Sequence, residues 1–66
     1  MNFKETVDFY KNLVDNIIVV IDDDRTWKFN VEDIDFVIED YHLDELEVVT
    51  TTHIPYSNEC YIYINE

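Results

Sequence analysis

Residues 17–29 read IIVVIDDDRTWKF, and the fold turns on how they are taken. Ile17 to Ile21 are all β-branched and apolar. The run is too short for a buried helix and has the composition of a strand covered on both faces at its centre. A strand over 17–22 is therefore expected. Asp23–Arg25 has turn character, and Thr26–Phe29 alternates in polarity, so the chain is predicted to return as a short second strand. The two strands would form a hairpin.

Outward from the hairpin, the pattern repeats. Before it, Phe3, Val7, Tyr10, Val14 and Ile17 recur at spacings of four and three, one face of a helix over 2–16. Asn2 with Glu5 three residues later has the form of a capping box. After the hairpin, Asn30 is placed to cap a helix over 31–41 with Val31, Ile34, Val37, Ile38 and Tyr41 inward. Leu46–Ile54 is a strand with the run VVTTT, Pro55–Glu59 a turn, and Cys60–Ile64 a last strand. Its Tyr61 and Tyr63 share one face, and Ile62 and Ile64 the other. The segments VDFYKNLVDNIIVV and IDFVIEDYHLDELEVV echo one another faintly.

The expected class is α+β, in the order αββαββ: an antiparallel sheet of three or four strands with two helices on one face, forming a single compact domain over 1–66. Phe9, Tyr10, Trp27, Phe29 and Tyr61 are expected in the core. The sequence contains no glycine, so turns rest on Asn, Asp, Ser and Pro, and a glycine-rich phosphate loop is excluded.

Charge is the outlier. Sixteen acidic residues face four basic ones, for a net charge of −12 on 66 residues. A folded body carrying that load repels itself. The sign opposes direct binding to nucleic acid or anionic membrane and favours a basic partner or cations. A disordered acidic chain would be poor in aromatics, whereas this one has one Trp, five Tyr and four Phe. With one cysteine and no visible signal segment, a reducing, cytoplasmic setting is expected. The longest apolar run, Ile17–Ile21, is too short to span a bilayer.

Several chemistries compete for the acids. Asp22, Asp23 and Asp24 offer clustered oxygens of the kind Ca²⁺ or Mg²⁺ takes, but lack the glycine and terminal glutamate of a calcium loop. The strand followed by Asp22-x-Asp24-x-Thr26 also resembles the nucleophile loop of haloacid-dehalogenase-type phosphatases. That family needs a parallel α/β sheet, a downstream lysine and a further acidic pair, which 66 residues cannot hold. His42, His53 and Cys60 lack metal-ligand spacing, and His53 is expected to face Cys60 across the last hairpin. No metal, cofactor or catalytic residue is assigned, and no enzyme is expected.

The strongest constellation is Glu32, Asp35 and Glu39, spaced to share a helix face, extended by Asp33, Asp40, Asp44, Glu45 and Glu47. No Lys or Arg follows Lys28. Carboxylates roughly 5–6 Å apart on a rigid body approximate a row of phosphates, which each strand of a duplex presents once per about 3.4 Å of helix axis. In overall character (small, acidic, glycine-free, α+β), and in no particular motif, the chain resembles phage-encoded protein mimics of nucleic acid: anti-CRISPR proteins, anti-restriction proteins and inhibitors of uracil-DNA glycosylase.

That resemblance implies an inhibitor that occupies the basic groove of a DNA- or RNA-processing enzyme, foremost a Cas effector, in the bacterial cytoplasm. The contact residues would be Asp22, Asp23, Asp24, Glu32, Asp35, Glu39, Asp40, Asp44 and Glu45, with Tyr56 or Tyr63 beside Ile54 as anchor. The alternative is a small regulatory module, an antitoxin or an adaptor that adds its strand 46–54 to a partner's sheet, with the acids serving solubility. Either a monomer or a homodimer fits the sequence.

Overall fold

The computed structural model describes residues 2–22 and 25–65, the side chains of Asp22 and Asn65 excepted. Its elements follow the expected order: α1 (Phe3–Tyr10), β1 (Asn16–Asp22), β2 (Arg25–Asn30), α2 (Ile34–Tyr41), β3 (Glu47–Ile54), a 3₁₀ turn at Pro55–Ser57 and β4 (Glu59–Asn65). The class is α+β.

The four strands form one sheet in the order β2-β1-β4-β3. Both hairpins are antiparallel, as the sequence suggests. They are joined by a parallel pair, Ile17 beside Cys60 and Val19 beside Ile62, so the sheet is mixed rather than antiparallel throughout. The two most apolar strands thereby take the centre, where both of their edges are bonded. Polar VVTTT is left at an edge. The echoed segments do not occupy equivalent places, because β1 is central and β3 is not.

One sheet face is covered by both helices. Ile17, Val19, Cys60, Ile62 and Ile64 point into it and meet Phe3 and Val7 of α1, Ile34 and Ile38 of α2, and Leu43 beyond α2. The other face carries no element. Ile18 is nevertheless only 7% exposed there, between Lys28 on β2 and Tyr61 on β4. The expectation that β1 is buried on both faces at its centre holds.

α1 begins at the expected capping box: Glu5 N–H donates to Asn2 Oδ1 at 2.9 Å, and Asn2 N–H donates to Glu5 Oε1 at 3.2 Å. The helix ends at Tyr10 rather than 16. The sheet claims the following residues, since the Asp15 and Asn16 amides both donate to the Asn58 carbonyl. The Tyr10 hydroxyl lies 3.0 Å from Thr51 Oγ1 and ties the helix to β3.

α2 starts at Ile34, three residues later than the sequence pattern suggests. Asn30 caps a turn instead, accepting from the Glu32 N–H at 2.9 Å, while Val31 N–H extends the ladder to Asp15. The helix closes on His42, a non-glycine residue at φ 55°, with Leu43 N–H donating to Ile38 O. That is a Schellman closure with a histidine where glycine is usual. Asn58, at φ 54°, serves the same need before β4.

Three aromatic residues expected in the core lie outside it: Phe9, and Trp27 at 44% exposure, are on the surface, and Tyr61 is half-buried on the uncovered sheet face. Trp27 sits on the helix-side face, but on an edge strand that the helices do not fully cover. Tyr41, assigned inward by period, is likewise exposed at the end of α2. Phe3 is the one aromatic residue buried in full, so the core is chiefly aliphatic.

Candidate functional site

The acids gather on the helix layer. Glu5 and Asp8 on α1, Asp35, Glu39 and Asp40 on α2, and Glu32, Asp33, Asp44 and Glu45 on its flanks are all exposed. On the uncovered sheet face the register places Asn16, Thr26, Lys28, Asn30, Thr50, Thr52, Tyr61 and Tyr63, with Glu59 paired to Lys28. Among the described residues, most of the negative charge therefore lies on the helix layer, with the exposed Asp15 apart from it in the loop before β1. The exposed Glu47, at the start of β3, is its one unpaired exception on the sheet face.

Local order explains which acids line up. Ile34, Val37 and Ile38 turn α2 inward, which sends Asp35, Glu39 and Asp40 outward. Glu32 was grouped with Asp35 and Glu39 by spacing, but it precedes the helix and belongs to the Asn30 turn. The shared helical face thus holds Asp35 and Glu39 without Glu32.

The structure also supplies cations that the local sequence lacks. A groove between the helices, of about 470 Å³, is lined by Lys4, Lys11, Asp35, Ile38, Glu39, His42 and Asp44. The two lysines are anchored to Asp8, at 4.0 Å for Lys4 and 3.3 Å for Lys11. Among the described residues, the carboxylates of α2 and its flanks form no ion pair. Asp40 and Asp33 do not line this groove.

Of the proposed anchors, Tyr56 is 92% exposed on the 3₁₀ turn after β3. Tyr63 is half-buried on the uncovered sheet face, between Val20 and Thr50, and so lies across the sheet from α2. The structure does not bring Tyr63 together with the α2 acids. The aromatic residue that does stand among them is Phe36, 71% exposed on the outer face of α2, with Glu39 and Asp40 one turn on. Sequence reasoning passed over it. The signal was present: Phe36 breaks the inward period of Ile34, Val37 and Ile38, which puts a large apolar residue on the polar side of a short helix. Asp23 and Asp24, and the side chain of Asp22, lie outside the described residues.

His53 stands opposite Cys60 in the β3–β4 ladder, as expected, and its ring packs edge-on against Tyr10. Cys60 is buried, and burial pushes its thiol up to about 11, so at neutral pH it is a packed thiol rather than a nucleophile. No three His, Cys, Asp or Glu side chains among the described residues gather as a metal site. No helix is long and apolar enough to cross a membrane.

Comparison of the chain with known protein families, with curated proteins and with solved structures finds no match.

Proposed function

We propose that this protein is an acidic mimic of nucleic acid, which docks its helix layer into the basic groove of a DNA- or RNA-processing enzyme and blocks it by occupancy. The most specific form of the proposal is an anti-CRISPR protein acting on a Cas effector in the bacterial cytoplasm. No catalytic step is involved.

The observation that carries this reading is the one-sided charge. A surface kept only for solubility would scatter its acids. Here they crowd the helix layer, where like charges at helical spacing repel by a few tenths of a kcal/mol per pair. α2 is 8 residues and therefore about 12 Å long, so together with its flanks it matches a few phosphates of one strand. Phe36 supplies what charge alone does not: an apolar contact inside a charged rim, the usual source of affinity at such interfaces. Charge of this kind steers encounter and makes association fast and salt-sensitive.

The test is capture from a bacterial lysate at low and high salt, with duplex DNA and RNA as competitors. The expected result is a nucleic-acid-binding protein, released by salt and by one of the competitors. Asp35→Lys, Glu39→Lys and Asp40→Lys combined should abolish capture and leave the circular-dichroism spectrum unchanged. Capture that persists in this variant, or a partner whose contact surface carries no positive charge, overturns the proposal.

The alternative, a regulatory module that joins a partner's sheet, is favoured by a different observation: the sheet ends in open edges. Its expected strand, β3, is poorly suited. β3 carries a bulge between Val48 and Thr50, and its start is bridged by Asn2.

A further inference from the structure

The uncovered sheet face is more apolar at its centre than a solvated face needs to be. β1 and β4 hold the middle of the sheet. Alternation turns Ile18 and Val20 of β1, and Tyr61 and Tyr63 of β4, to this side. Register sets Ile18 beside Tyr61 and Val20 beside Tyr63, so the four form one contiguous block. Exposed Thr50 and Thr52 of β3 flank the block on one side, and Thr26 and Lys28 of β2 on the other. A sheet with one solvated face alternates apolar with polar residues, whereas strands apolar on both faces lie between two layers. β1 is apolar at every position from Ile17 to Ile21, and β4 sets its two tyrosines opposite Cys60, Ile62 and Ile64. Both have the composition of a middle layer.

Charge fits this face to itself. Lys28 lies on the β2 side, where it pairs with Glu59, and Glu47 stands at the β3 corner. A two-fold axis between two stacked sheets, running along the strands, sets β2 of one copy over β3 of the other and β1 over β4. The Lys28 side of each copy then meets the Glu47 side of its mate, and apolar block meets apolar block. Sheets so stacked lie about 10 Å apart, with each helix layer beyond its own sheet, so the two acid sets are farther apart than the screening length of about 8 Å at physiological salt. Area is sufficient as well. The protein measures 29 × 24 × 20 Å, and a face bounded by the two longer extents is on the order of 700 Å², near the roughly 800 Å² per partner of a standard interface.

We propose that this face is a dimer interface, on which a second copy of the chain stacks sheet to sheet about a two-fold axis along the strands, with Ile18, Val20, Tyr61 and Tyr63 at its centre. A tyrosine-bearing apolar centre inside a polar rim is the anatomy of a specific interface. A chain of 66 residues buries little surface on its own, and pairing is one way in which such small domains gain a core. Charge selects this occupant over a foreign one. A basic protein is drawn to the helix layer, and an acidic one is repelled by the −12 of the whole body, while the sheet face matches its own copy. The pair leaves both helix layers free and does not depend on the nucleic-acid mimicry proposed above.

Sedimentation equilibrium of the full chain tests this without any other protein. In about 0.15 M sodium chloride the mass should move from one copy towards two between about 1 and 500 µM. Pairing should tighten as salt rises to about 0.5 M, because screening removes the residual repulsion between two bodies of charge −12. Tyr61→Ser and Tyr63→Ser combined should abolish it. Thr52 is exposed and level with Lys28 across the sheet, so Thr52→Lys sets two lysines opposite one another in the dimer. Its dissociation constant should rise about tenfold or more, even if the tyrosine variant fails to fold. Thr52→Ser should leave the constant unchanged. A chain that stays single at about 500 µM in about 0.5 M salt overturns the proposal. So does a dimer that salt dissociates, or one equally stable in Thr52→Lys, which would be joined through an edge strand or the helices instead.

Discussion

Lys28 reaches over β1 to Glu59: its Nζ lies 3.0 Å from Glu59 Oε2, linking β2 to β4 on the uncovered sheet face. The pair crosses β1 diagonally, from the position beside Ile18 to the one beside Asn16. It also removes one of the few acids from that face, and so sharpens the charge difference between the two sides of the protein.

The pair has a titration signature. The Lys28 ammonium, hydrogen-bonded to the carboxylate, holds Glu59 below the usual carboxylate range against an opposing effect of partial desolvation. A depressed carboxylate stabilises the fold above its unfolded value, and that contribution is lost as pH falls through the folded value. Carboxyl-detected NMR titration should find Glu59 below the ordinary value in the native chain and returned towards it in Lys28→Ala. An unchanged Glu59 midpoint in that variant would show that the lysine is not its cause.

Salt should stabilise this protein. Most of its charge is of one sign and lies on one layer, so screening relieves repulsion within the folded state more than it weakens the few exposed ion pairs. The melting midpoint should rise between low salt and about 0.5 M sodium chloride, where the screening length falls well below 10 Å. Asp35→Asn, Glu39→Gln and Asp40→Asn combined should raise the midpoint in low salt and flatten its salt dependence. A midpoint that falls with added salt would mean that attractive pairs dominate.

Much of this architecture is legible in the sequence, and the departures have local causes. Strand positions follow from β-branched runs, and the α1 start from Asn2 and Glu5, because these are short-range effects. The parallel pairing of β1 with β4 is not local: it depends on which two strands are apolar enough to take the centre, and alternation within one strand does not reveal its neighbour. Helix ends shifted for a similar reason, as Asp15, Asn16 and Val31 bond to the sheet rather than to their own helices. The acidic character of α2 is plain from the sequence. The approach of Lys4 and Lys11 to Asp35 and Glu39 is a tertiary event, whereas the outward place of Phe36 could have been read from the helical period alone.

His42 is the fold's substitute for glycine, and it leaves room for improvement. A left-handed backbone costs an ordinary residue about 1–2 kcal/mol, while glycine gives back part of that gain through the entropy it loses on folding, about 0.5–1 kcal/mol. His42→Gly should therefore stabilise the protein by up to about 1 kcal/mol. Urea denaturation would register this as a higher midpoint at unchanged slope. His42→Val should do the reverse, because a β-branched side chain suits that conformation least. Equal stability of the glycine and native forms would indicate that the imidazole, beside Asp35, Glu39 and Asp44, repays the backbone cost.

Cys60 gives the fold an alkaline limit. Its thiol sits in the core between Ile17 on β1 and His53 on β3, and burial raises its pKa from 9.0 to about 11. Here the folded state holds the proton more tightly than the unfolded state. The resulting stability is complete below the unfolded value and declines as pH rises from about 9 towards about 11. Denaturation midpoints measured between pH 8 and pH 10.5 should fall in the native chain and fall less in Cys60→Ala, whose lost core volume lowers the whole curve by about 0.5–3 kcal/mol without that slope. Reaction with a thiol reagent at pH 8 should be slow and should track local or global opening, accelerating in urea below the unfolding midpoint. Rapid labelling of the native protein, at the rate of a free thiol, would place the sulfur at the surface and remove the alkaline limit with it.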